Sequence, residues 1–135
     1  MPASLAFDYA VVRVVPRVER EEFVNTGVIL HCPAQRFLDC RLELDERRLR
    51  ALDPAVDLDA IHRQLEALRA VCAGAPDGGP MAHLSPSERF HWLVAPKSTV
   101  VQTSPLHAGL CTDPASTLEH LFQTIVAGPA ARPPT

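Results

Sequence analysis

The chain has 135 residues, 47% of them hydrophobic and 21% charged, which suits one domain with its own core and excludes a disordered chain. A net charge of −3 offers no general attraction to a nucleic-acid backbone or an anionic membrane, and aromatic residues make up only 5%. No run of about 18 apolar residues is present, so no membrane-spanning helix is expected, and Met1–Asp8 has no basic or apolar region of a secretory signal.

The first element is the run YAVVRVV from Tyr9 to Val15, apolar and β-branched enough for a strand covered on both faces. Pro16 ends it, and the charged stretch Arg17–Glu22 makes a helical turn or a hairpin loop. Val24–Cys32 reads as a second strand in which Gly27 marks a bulge or a close backbone approach. Beyond the turn at Pro33–Gln35, a third strand alternates Leu38, Cys40, Leu42 and Leu44 with Asp39, Arg41 and Glu43. Short connections between the three predict an antiparallel meander.

Helices follow. Asp45 caps a short one through Leu52, and Asp53-Pro54 is a further start signal. From Asp57 to Cys72 the apolar residues Leu58, Ile61, Leu65, Leu68 and Cys72 keep helical spacing, as an amphipathic helix on a sheet requires. Gly74–Pro80 breaks the chain into a loop, and Ser85-Pro86-Ser87-Glu88 is a capping box that opens the next helix. Thr99–Thr103 reads as a fourth strand, Ser104–Thr112 as irregular, and Asp113-Pro114 as the cap of a last helix with a stripe from Leu118 to Val126. Residues 1–127 thus form a single domain, and residues 128–135 a flexible proline-rich tail. The fold class expected is α+β, a mainly antiparallel four-stranded sheet with two longer helices packed on one face.

Two clusters carry chemistry. Arg13 lies inside an apolar strand, where a guanidinium needs a carboxylate, a phosphate or another partner. With Arg17, Arg20 and Asn25 it makes either an anion site or a contact surface, or it pairs with Glu19, Glu21 or Glu22. Lys97, Ser98, Thr99, Gln102 and His107 form the second cluster, a cation beside hydroxyls that suits phosphate, or else a loop in which the hydroxyls satisfy backbone groups. It is not a P-loop, since no GxxxxGK[ST] precedes a helix. The four cysteines (Cys32, Cys40, Cys72 and Cys111) include no CxxC pair, and the histidines complete no zinc pattern. Reduced structural thiols in a cytoplasmic protein are therefore expected, with no metal and no cofactor. No catalytic residue is assigned: Ser98 or Cys111 with His107 lacks any nucleophile motif.

Three stretches together resemble a known bacterial family. They run from Tyr9 to Leu30 (YAVVRVVPRVEREEFVNTGVIL), from Glu88 to Gln102 (ERFHWLVAPKSTVVQ) and from Ser104 to Pro114 (SPLHAGLCTDP). The chain is identified from them as resembling domain-of-unknown-function family 3037 (DUF3037), with departures such as Thr26 in place of valine and Lys97 in place of arginine. The resemblance implies an accessory role beside a HipA-like kinase-fold protein, and it lends weight to Arg13, Arg17, Arg20, Asn25, Lys97, Ser98, Thr99, Gln102 and His107 as one polar surface. The alternatives are a phosphoesterase or nucleotide-processing hydrolase, with a phosphate held by Arg13 and Lys97 and with His107 as acid–base, and a plain subunit of a homodimer.

Overall fold

Strand β1 (Leu5–Val14) runs through the middle of the sheet in the computed structural model, which describes residues 4–128. It pairs antiparallel with β2 (Val24–Cys32), and β2 with β3 (Phe37–Leu42), so the expected meander is present. Along its other edge β1 takes β4 (Val101–Thr103) and β5 (His107–Cys111). The class is α+β as expected, and the described residues form a sheet of five strands where four were expected. The helices are α1 (Glu46–Leu52), α2 (Leu58–Ala73), α3 (Pro86–Leu93) and α4 (Pro114–Phe122), the last continued to Ala127 by a wider turn. Among the described residues no helix is long and apolar enough to cross a membrane. The proline-rich tail expected from residue 128 lies, from residue 129 on, outside the described residues.

Strand β5 falls in the stretch expected to be irregular. Thr103 stands opposite Val12 and His107 opposite Tyr9, so β4 and β5 are one edge ribbon with a single extra residue at the Ser104–Leu106 step. Ser104 carries the ladder across that step. Its N–H donates to the Val11 carbonyl at 2.8 Å, and its Oγ accepts from the Val11 N–H at 2.8 Å. Pro105 and Gly109 hide the strand in the sequence, and an edge position tolerates both because a proline there need donate no ladder bond.

Alternation along the strands sends side chains to two cores. One holds Val12, Val14, Val24, Ile29 and Cys40 against Ile61, Leu65 and Cys72 of α2 and Phe90 and Leu93 of α3. The other holds Phe7, Val28, Leu30, Cys32 and Cys111 against Leu118 of α4, with Leu121 and Val126 beside it. The two longer helices, α2 and α4, are therefore on opposite faces of the sheet and not on one. An apolar stripe shows that a helix packs, and the connection through the edge ribbon decides on which side. His31, on the α2 face with Ile29 while Leu30 and Cys32 face α4, is buried beside Phe90 with ring centroids 4.9 Å apart, and burial pushes its pKa below the usual imidazole range.

The caps form as the sequence predicts. Asp45, Asp57 and Asp113 accept from backbone N–H groups in the first turns of α1, α2 and α4, and Ser85 with Glu88 closes the capping box of α3. Each such cap contributes about 1 kcal/mol. Asp53 opens no helix; it ends α1, and its carboxylate accepts from Ala55 N–H in the turn before α2.

Gly27 meets both readings given to it. Val12 pairs with Gly27 and Arg13 with Asn25, so Thr26 is the extra residue of a bulge in β2. Without it, Asn25 would point into the α2 core and Val24 out of it, because one step of register exchanges the faces. A Cβ on Gly27 would stand 2.6 Å from the Arg41 carbonyl oxygen and closer still to the Leu42 side chain. Gly27→Ala is expected to lower stability by about 1–3 kcal/mol, read from the urea midpoint, since neighbouring backbone has to move.

Candidate functional site

Beyond the reach of α4, the end of β1 leaves part of the sheet face open. The β1–β2 connection and the α3–β4 loop wall it into a hollow of about 410 Å³ lined by Arg13, Val15, Val18, Glu21, Phe23, Lys97, Ser98 and Gln102. Strand register positions two of these: Arg13 and Gln102 are direct partners across β1 and β4 and share a face. The connection supplies the apolar rim. Val18 lies in a short helical turn (Val18–Arg20) closed by Glu21 in the left-handed conformation at φ 57°, and Phe23 leads into β2.

Arg13 does not pair with a glutamate of the connection. Its guanidinium lies over the Phe23 ring, 4.2 Å from the centroid, and its Nε is buried with no hydrogen-bond partner among the described residues. The cation–π contact offsets part of the cost of burial, yet a guanidinium keeps a forked set of donors that a ring face cannot satisfy. Glu21 lines the same hollow and forms no ion pair with Arg13 among the described residues, and the other carboxylates nearby are occupied elsewhere. Arg17 reaches Glu19 at 3.6 Å and Asp53 at 3.7 Å, and Arg20 pairs with Glu22.

Lys97 closes the far wall and does local structural work there. Its Nζ donates to the carbonyl oxygens of Leu93 at 3.1 Å and Trp92 at 3.4 Å, and sits 5.1 Å from the Trp92 ring centroid. A cation at those last carbonyls complements the C-terminal end of α3. Burial pushes its pKa below the usual lysine range. Thr99 donates to the Val101 carbonyl and the Gln102 amide to the Thr99 carbonyl, so these two hold the loop in shape. Thr99 faces a second hollow of about 360 Å³, lined by Leu68, Val71, Trp92 and Leu93 among others, and Lys97 and Gln102 border both.

The residues singled out in the sequence thus separate into groups. Arg13, Lys97, Ser98 and Gln102 meet at one hollow, while Arg17 and Arg20 stand in the connection beside it. Asn25, though opposite Arg13 in the ladder, lines a different depression with Glu43, Asp45 and Glu46. His107 stacks on Tyr9 with centroids 5.0 Å apart. Tyr9 is four residues from Arg13 along β1, about 13 Å at the rise of a strand, so His107 is not at the hollow. Val15, Val18, Glu21 and Phe23 are the lining residues outside the polar set singled out in the sequence. The signal for them was apolar Val18 and Phe23 on either side of a charged turn, with no core partner in sequence.

The profile of a family described as protein of unknown function, DUF3037, matches residues 9–126. The chain belongs to the DUF3037 family. The match spans both walls of the hollow and the whole sheet from Tyr9 onward in this DUF3037 chain. No curated protein and no solved structure matches it.

Because the guanidinium of Arg13 has an aromatic neighbour and no buried ionic partner, its charge is dispensable for folding. Arg13→Met, which keeps an apolar stem over Phe23, is expected to leave stability within about 1 kcal/mol of the parent in urea unfolding. A loss above about 3 kcal/mol would show the guanidinium to be structural.

Proposed function

We propose that the protein is a small non-catalytic accessory module that acts in the cytoplasm by docking on a HipA-like kinase-fold partner through the hollow at Arg13. One observation carries the reading: the β1–β2 connection and the α3–β4 loop, far apart in sequence, meet around a single open hollow with two cations, the Glu21 carboxylate and an apolar rim. Val18 is 41% and Phe23 42% exposed there, so both present apolar surface beside the two cations. A partner segment that presents a carboxylate next to an apolar side chain fits both features. The carboxylate meets the donors of Arg13, and the apolar group covers Phe23 and Val18.

The hydrolase reading draws less support. It assigns His107 as acid–base next to Arg13 and Lys97, and those two cations share the hollow while His107 stacks on Tyr9 further along the sheet. Proton transfer needs a group within hydrogen-bond reach of the reacting atom.

Affinity purification of the tagged protein from its native cells, read by mass spectrometry, tests the proposal. A stoichiometric kinase-fold partner is expected with the parent, lost when Arg13→Met is combined with Phe23→Ala, and weakened by charge reversal at Arg17 and Arg20. Full recovery of that partner with all of these variants, or recovery of the chain only with itself, overturns the reading.

A further inference from the structure

The four cysteines fall into two buried neighbour pairs, one in each core. On the α2 face the Sγ atoms of Cys40 and Cys72 lie within 4.8 Å of each other, and on the α4 face Cys111 neighbours Cys32. All four are free thiols. Cys40 is on β3, the strand at the far edge of the sheet, and Cys72 is one residue from the end of α2. We propose that Cys40 and Cys72 are a dithiol that closes to an internal disulfide between the edge strand and the last turn of α2.

The two sulfurs are not equivalent. A hydrogen bond from the Cys72 thiol holds Cys40 below its ordinary pKa, with burial, Asp39 and Glu66 opposing this and Arg69 adding to it. The same bond, with burial, pushes Cys72 up. Cys40, on the edge strand and 7% exposed against 1% for Cys72, is the sulfur an oxidant reaches first, and Cys72 is the resolving thiol. With a low-molecular-weight disulfide such as glutathione disulfide as the oxidant, the Cys40 thiolate attacks one of its sulfurs. The S–S bond breaks, Cys40 becomes a mixed disulfide, and one glutathione leaves and takes up a proton. Cys72 then attacks the Cys40 sulfur and releases the second glutathione, which takes the Cys72 proton. Two protein thiols are oxidised and one glutathione disulfide is reduced to two glutathiones.

A metal suits the same atoms less well. Asp39 is the third donor near the two sulfurs, but it is the exposed strand residue just before Cys40, and its Oδ1 already accepts from the Cys40 N–H at 2.8 Å. Among the described residues no fourth histidine, cysteine or carboxylate joins them.

The test is incubation of the folded parent protein with glutathione disulfide at pH 8, followed by intact-mass and peptide mass spectrometry and a thermal melt. The expected product carries no glutathione, contains a peptide pair joined through Cys40 and Cys72, and melts about 10 °C higher until a phosphine reductant reverses it. A lasting glutathione adduct on Cys40 overturns the proposal, as do unreactive Cys40 and Cys72 in the folded protein or Cys32–Cys111 as the sole joined pair. A stoichiometric zinc ion that shields both thiols overturns it as well.

Discussion

Strand β1 is hydrogen-bonded along both edges, and its pairing with β2 changes step at Val12–Arg13, where Thr26 is the extra residue. That one-residue bulge decides what faces each core. Ahead of it Ile29 and Gly27 face α2; after it Val24 does so as the partner of Val14, and Asn25 stands beside Arg13 on the other side. Gly27 sits beside the bulge and lets β3 approach closely, since the Arg41 carbonyl and the Leu42 side chain leave no space for a Cβ. Val14 and Val24 are almost completely buried, and each contributes about 1.5–3 kcal/mol relative to exposure, which a shifted register would forfeit.

The open hollow follows from where the layers stop. Helix α4 covers the β2 side of its face through Val28, Leu30 and Cys32, and leaves the end of β1 to its own loops. Arg13 emerges there with Gln102 across the ladder and Phe23 under its guanidinium. A charge so placed is partly desolvated without being neutralised, and this distinguishes it from Arg20, whose ion pair is exposed and weak, and from Arg17, which has Glu19 and Asp53 as partners. Lys97 takes its position from the end of α3, so the second cation of the hollow is held by a helix terminus and not by the ligand it would meet.

Much of this was legible in the residues, and the remainder was not for definite reasons. The stripe from Leu58 to Cys72 marks α2 because burial on one side selects a 3.6-residue period, and Leu38, Cys40 and Leu42 mark β3 by a period of two. Strand β5 has no such signature. His107 to Cys111 is a strand because β1 offers it an unpaired edge, a property of the partner. The side of the sheet that α4 takes is likewise a matter of chain path. For Arg13 the sequence shows only that a partner is required; the three nearby glutamates suggested an ion pair, whereas the turn geometry presents Phe23. Arg13 and His107 could be read as neighbours in a motif, but the ribbon that joins them spaces them along the sheet.

The register at the bulge is the claim on which both the cores and the hollow depend, and cross-strand nuclear Overhauser contacts of labelled protein measure it most directly. Contacts that pair Arg13 with Asn25 and Val14 with Val24, with Thr26 unpaired, are the predicted result. Arg13 opposite Thr26 and Val14 opposite Asn25 would mean an unbroken ladder, and would contradict the account.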